Sequence, residues 1–223
     1  MGEEAKAATV SAGERVAGVL RERITEGHLL SGTSLRDVAL STEFGVARHT
    51  LRAALRLLEY EGLVVHQMHK GAVVKTLSVD DVHEIYRIRR TLELGAVEQS
   101  AFAPTDRLAD LDTAVRTAER AVTGKAWNEV GTASLRFHQA LVALLGSASI
   151  DRFFRGVLTQ LRLAFATIRD EAAWQTPWIP RDREICNLVR RGSRDSARAL
   201  TAQYLDDSEK GVLDVVRAHR NRR

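Results

Sequence analysis

The chain has 223 residues, 44% hydrophobic and 28% charged, with 33 Lys+Arg against 29 Asp+Glu for a net charge of +4. That length accommodates two modest domains, and the balance is that of a soluble globular protein. No apolar run approaches the roughly 20 residues needed to cross a bilayer, and a single cysteine, Cys186, excludes an intramolecular disulfide and any cysteine-based zinc cluster. Cys186 is expected as a small buried apolar residue.

Residues 1–10 are small and polar and are expected to be disordered. Met1-Gly2-Glu3-Glu4-Ala5-Lys6 lacks the basic-then-apolar order of a secretion signal, which places the protein in the cytoplasm. From Ser11, with Glu14 three residues on as a capping box, a helix is predicted to about Glu26, with Val16, Val19, Leu20 and Ile24 on one face. A loop follows over 29–33.

Leu35 opens a short amphipathic helix that runs to about Phe44, where Gly45 stops it. After a tight turn, residues 48–59 carry apolar side chains at 51, 54, 55 and 58, while Arg48, His49, Arg52 and Arg56 form the other face. Two helices joined by a glycine turn, the second basic on its outer side, make the helix-turn-helix arrangement that seats a recognition helix in the major groove. Leu63-Val64-Val65 and Ala72-Val73-Val74 then read as the strands of a hairpin whose tip carries His66, Gln67, His69 and Lys70. Residues 1–78 hold 10 Lys+Arg against 9 Asp+Glu, so this unit is not basic in bulk and its case rests on local placement.

Ser78-Val79-Asp80-Asp81 caps the next helix, and the domain boundary falls there: 11–77 is a winged helix-turn-helix domain, 78–223 an all-helical one. Helices are predicted over about 80–102, 106–123, 127–145, 149–173, 181–191 and 194–219, with Pro177 and Pro180 in a loop after Trp174. Six helices with short connections make an antiparallel bundle, so the fold class is mainly α. Four of these helices turn a polar residue into an apolar stripe: Arg89 among 82, 85, 92 and 96; His138 among 135, 142 and 145; Asp182 with 185 and 189; Tyr204 with 197 and 200. A buried guanidinium costs several kcal/mol unless paired, so these groups are expected to line a common ligand cavity.

The order Ile24 to Leu29, Leu35 to Leu40, Phe44 to Leu55, Leu57 to Val64 and Lys70 to Val74 resembles the winged-helix domain of the GntR transcriptional regulators. The resemblance implies DNA contact by Arg48 and Arg52, and Arg36, His49, Thr50, His69, Lys70 and Gly71 join them as expected DNA contacts. The family usually has Ser, Thr, Pro and Glu where this chain has Ala47, His49, Thr50 and Ala53, and His49 implies an altered operator sequence. Glu84 to Glu93, Phe137-His138, and Ile185 to Val189 with Arg191-Gly192-Ser193 and Ala197 are similar to the FCD ligand-binding domain of the FadR branch. Many members hold a divalent metal through one Asp and three His and use it to bind a small carboxylate. Here those positions are Ser134, His138, Asp182 and Tyr204, so only His138 and Asp182 could serve a metal, and no cofactor is expected.

The implied protein is a homodimer on a nearly palindromic double-stranded operator, more often a repressor in this family. Its carboxylate-bearing effector would sit among Arg89, Ser134, His138, Asp182 and Tyr204. One alternative is a regulator whose helical domain only dimerises. A remote one is an enzyme with His138 and Asp182 as its general base pair.

Overall fold

The computed structural model describes residues 11–165, 168 and 170–220; of Asn128 only the backbone is described. The expected disorder of 1–10 therefore lies outside the described residues. The order is α1 (Ala12–Thr25), α2 (Asp37–Glu43), α3 (Arg48–Tyr60), β1 (Val64–Gln67), β2 (Gly71–Val74), then α4 (Val79–Gln99) closed by a 3-10 turn (Ser100–Phe102). After it come α5 (Thr105–Thr123), α6 (Trp127–Ala143), α7 (Ala148–Phe165), α8 (Glu171–Gln175), α9 (Ile179–Arg190) and α10 (Arg194–Arg220).

The first five elements are the winged helix-turn-helix. Ser11 accepts from the Glu14 amide while the Glu14 carboxylate accepts from the Ser11 amide, the capping box that starts α1. Gly45, at φ 61°, takes the left-handed turn between α2 and α3 that a Cβ would resist. Leu51, Ala54, Leu55 and Leu58 bury one side of α3, which packs on α1 and on α2. β1 and β2 pair antiparallel, Val64 opposite Val74 and Gln67 opposite Gly71.

A second capping box, Ser78 with Asp81, starts α4. α4 lies along α10, α5 packs on α6 and α9, and α6 packs on α7 and α8. One correction concerns the segment expected as a single helix over 149–173: α7 ends at Phe165 and the separate α8 begins at Glu171, capped by the Asp170 side chain on the Ala173 amide. A second concerns Pro180, which sits inside the first turn of α9, where its missing N–H costs nothing.

The two domains do not keep separate cores. One apolar cluster runs from Val16 and Leu20 on α1 through Phe137 and Leu161 to Val216 on α10. α1 packs directly on α7, and polar contacts from α7 reach the winged domain: Gln160 Nε2 to the Glu61 carbonyl at 2.7 Å, Arg162 Nε to the Thr25 carbonyl at 2.8 Å, and the Leu163 carbonyl from Ser31 Oγ at 3.3 Å. Cys186 is wholly buried, and burial pushes its thiol up to about 11.

Candidate DNA interface and effector site

On α3 the apolar side faces α1, which turns Arg48, His49, Arg52 and Arg56 outward, all exposed, with Thr50 half-buried at their edge. Arg36, exposed, precedes the first residue of α2, and its neighbour Asp37 accepts from Arg52 Nε at 3.0 Å. That pair lies in solvent and holds Arg52 only weakly. His69, Lys70 and Gly71 form the hairpin tip, with His69 at φ 66° and Gly71 at φ 74°, so the chain reverses tightly and Lys70 stands clear. Arg36, Arg52, Arg56, His66 and Lys70 share the walls of a cleft of about 620 Å³ between α2, α3 and the hairpin. Ala47, before α3, offers no side-chain cap, so the first amides of the recognition helix are open to a phosphate oxygen.

The second site is internal. Arg89, Ser134, His138, Asp182 and Tyr204, drawn from α4, α6, α9 and α10, are all buried. They do meet, but not as a free guanidinium facing a cavity. Arg89 Nε donates to Glu93 Oε1 at 2.7 Å, one helical turn along, and its guanidinium lies 5.0 Å from the Tyr86 ring centroid. The other Glu93 oxygen lies 2.7 Å from His138 Nδ1. A carboxylate only accepts, so Nδ1 carries the hydrogen and Nε2 points the other way. His138 Nε2 is 3.8 Å from Asp182 Oδ1, while Asp182 Oδ2 accepts from Ser134 Oγ at 2.8 Å. The Tyr204 ring packs edge-on against His138, centroids 4.9 Å apart.

Electrostatics follow from this pairing. Burial would raise the Glu93 carboxyl, but the Arg89 and His138 charges beside it hold it below its usual value, so it is ionised. Burial likewise works against the Arg89 charge, and Glu93 more than offsets it. Asp182 has no such neighbour in contact: burial pushes it up to about 6, only partly countered by His138 and Ser134. Burial, with the Asp182 charge adding to it, keeps Tyr204 a neutral phenol.

The space that Arg89, Ser134, His138 and Tyr204 border is about 10 Å³, room for one water rather than a ligand. It is filled from a direction the sequence did not signal: Phe165 at the end of α7, Trp174 and Gln175 of α8, and Trp178 just before α9. Two glycines make space for α8. A Cβ on Gly211 of α10 would lie 2.7 Å from the Trp174 ring, and one on Gly131 of α6 would lie 2.5 Å from Gln175 Nε2. Five buried polar atoms in this region have no hydrogen-bond partner within the protein: Arg89 Nη2, His138 Nε2, Asp182 Oδ1, Trp174 Nε1 and Gln175 Nε2. Sequence reasoning missed Glu93, Trp174 and Gln175. Asp182 is expected from helix-face geometry to pair with His138 or Arg89; it lies 3.8 Å from His138 Nε2, while Arg89 is held by Glu93 instead.

The donors do not fit the divalent metal of the resembling domain. His138 Nε2 and Asp182 Oδ1 are two, Ser134 and Tyr204 are neutral hydroxyls, and His138 Nδ1 is taken by Glu93. Among the described residues no three His, Cys, Asp or Glu side chains converge as a metal site would require.

A winged helix-turn-helix fused to an all-helical bundle with a polar centre defines a class of two-domain bacterial regulator. Family models agree: "Bacterial regulatory proteins, gntR family" matches residues 12–74 and "FCD domain" matches 84–207. The chain belongs to the GntR family, with an FCD domain as its second half. It is 33% identical over 141 residues to the gluconate operon transcriptional repressor of Bacillus licheniformis, a match covering 63% of this chain and 58% of that protein. An uncharacterized HTH-type transcriptional regulator BphR of Paraburkholderia xenovorans is 28% identical over 83% of each chain. Among solved structures, a GntR chain from Rhodococcus sp. RHA1 superposes with a TM-score of 0.85 at 31% identity, covering 91% of this chain and 97% of that one. McbR/YncC of E. coli shares the fold, with a TM-score of 0.78 at 17% identity over 92% and 99%.

Proposed function

We propose that the chain is a DNA-binding transcriptional regulator, a repressor in its resting form, whose hold on its operator changes when a small effector enters the helical bundle. The observation that carries the first half is the division of α3: its apolar side is consumed by α1, leaving Arg48, His49 and Arg52 outward beside a projecting hairpin. Phosphate contacts from Arg36, Lys70 and the open amides of α3 would supply much of the affinity, and Arg48, His49 and Arg52 the base readout. One recognition helix reads few base pairs, so the operator is a nearly palindromic duplex held by a homodimer. The name of the Bacillus licheniformis relative supports repression. No helix among the described residues is long and apolar enough to cross a membrane, in keeping with work in the cytoplasm.

The effector half rests on the unpartnered atoms around Arg89, His138 and Asp182, since buried polar groups without partners are rare and costly. Room for a ligand has to come from Trp174 and Gln175, which belong to the short α8 and not to a long helix of the bundle. Arg162 links that region to the winged domain, touching Glu171 of α8 and the last carbonyl of α1. A closed cavity is also what a purely dimerising bundle would show, and the unpartnered atoms favour the effector reading over it.

Selection of duplexes from a random pool by the full chain tests the DNA assignment: enrichment of an inverted repeat supports it, and no enrichment at low salt removes it. No tightly held metal belongs to this function, and elemental analysis finding one zinc, nickel or manganese per chain after dialysis would overturn that part.

A further inference from the structure

The charges at the centre of the bundle do not suit a carboxylate. Arg89 supplies one positive charge and Glu93 cancels it at 2.7 Å; Asp182 adds a negative charge met by the neutral Ser134 and Tyr204 hydroxyls and, at 3.8 Å, by His138 Nε2. With Asp182 ionised, as it is at pH 7.5, the four groups sum to −1 with a neutral imidazole at His138 and to zero with a protonated one, so there the cluster is not net positive. An entering anion would meet no uncompensated positive charge and would lie beside a carboxylate in surroundings of low dielectric, where like charges repel strongly.

The hydrogen-bonding inventory suggests a different guest. Arg89 Nη2, Trp174 Nε1 and Gln175 Nε2 are donors, Asp182 Oδ1 is an acceptor, and His138 Nε2 is an acceptor while the ring is neutral. Arg89, His138, Trp174 and Gln175 line one small cavity, and Asp182 lies directly behind its Ser134 and His138 wall. A carboxylate can satisfy only the donors and leaves Asp182 Oδ1 unmet. A hydroxyl accepts from one side and donates to the other, so two or three adjacent hydroxyls on a short carbon chain can satisfy both kinds of group at once.

We propose that the effector is a small neutral polyhydroxylated compound, of the sugar-alcohol or sugar type, recognised by Arg89, Trp174 and Gln175 as donors and by Asp182 and His138 as acceptors. This rests on the effector-site reading above and specifies its chemistry. Asp182 is then the residue that sets preference, accepting from a ligand hydroxyl and excluding acids by its charge. Trp174 and Gln175 are ligand contacts supplied by α8, so the side chains that must shift to admit the ligand are also ones that bind it.

The test is calorimetric titration of the full-length protein at pH 7.5 with matched neutral and acidic probes, xylitol against xylonate and sorbitol against gluconate. The parent should bind the neutral member of at least one pair tenfold or more tighter than the acid. Asp182→Asn, close in shape and without the charge, should narrow or reverse that ratio. An acid that binds the parent as tightly as its neutral partner overturns the proposal while leaving the effector site standing. So does an Asp182→Asn ratio equal to the parent's. Binding of neither class to the parent removes the proposal together with the effector reading beneath it. The parent titration decides without the variant, so a variant that failed to fold would not shelter the idea.

Discussion

Arg162 on α7 donates through Nε to the carbonyl oxygen of Thr25, 2.8 Å away at the last residue of α1, and its Nη1 lies 3.1 Å from Glu171 at the start of α8. The side chain is almost wholly buried, so one guanidinium touches both the winged domain and the segment that fills the proposed effector site. Arg162→Met keeps the stem and removes both contacts. It should cost about 1.5–3 kcal/mol, the range for hydrogen bonds to a charged group, and should speed hydrogen exchange of the amides that close α1, from Glu26 to Leu29. Unchanged exchange there would mean that Arg162 does not hold the junction.

Glu93 neutralises Arg89 where neither side chain reaches water, with side-chain exposures of 0% and 1%. Glu93→Gln leaves the guanidinium buried beside a neutral amide, and removing one member of a buried pair costs about 3–5 kcal/mol. A melting temperature within a degree or two of the parent would show that Arg89 finds another counter-charge.

Glu93 was hidden in the sequence for a geometric reason. The apolar stripe around Arg89 runs along 82, 85, 92 and 96, but a buried helical face is wider than one line. The parallel line through Tyr86, Arg89, Glu93 and Val97 is buried throughout, whereas Leu92 is only half-buried. A carboxylate one turn after a buried arginine is the signal that could have found it. The break between α7 and α8 was hidden differently. Residues 149–173 keep a helical apolar period with no proline, their one glycine, Gly156, lies well before the break, and only Asp170, a capping residue, marks where α8 begins. The winged domain was legible because its turns need particular residues, Gly45 above all, and because α3 has one strictly apolar side.

Asp182 gives stability a pH dependence of known sign. Folding raises its carboxyl from the ordinary 3.8 to about 6, so between those values the folded chain binds more protons than the unfolded one. Stability from this group is therefore fully present below about pH 4 and lost as pH rises through about 6. Asp182→Asn should stabilise the protein at pH 7, by up to about 3 kcal/mol from two pH units at 1.36 kcal/mol each, and the gain should fade towards pH 4. Denaturant melts at both pH values measure it, and a gain that grew on acidification would reverse the assignment.

Gly211 carries no special backbone angle; it makes room for the Trp174 ring, which a Cβ would approach to 2.7 Å. Alanine normally gains about 1 kcal/mol over glycine inside a helix. Gly211→Ala should instead show no gain or a net loss, because overpacking costs about 1–3 kcal/mol, and the tryptophan emission should shift as the indole leaves its seat. Gly131→Ala meets only the far ends of the long Gln175 and Arg162 side chains, at 2.5 and 3.4 Å, and should be tolerated. Stabilisation by Gly211→Ala without a spectral change would contradict the seat.

The central claim is that α3 reads DNA through its outward arginines, and binding of a selected operator duplex by anisotropy at fixed salt tests it most directly. Arg48→Ala and Arg52→Ala should each lose about 1–3 kcal/mol of affinity, the range for a good base contact, with the fold intact because both side chains are exposed. Arg198→Ala, on the far domain and paired only with Glu98 at the surface, should bind as the parent does. Parent-like affinity in both Arg48→Ala and Arg52→Ala would contradict the account.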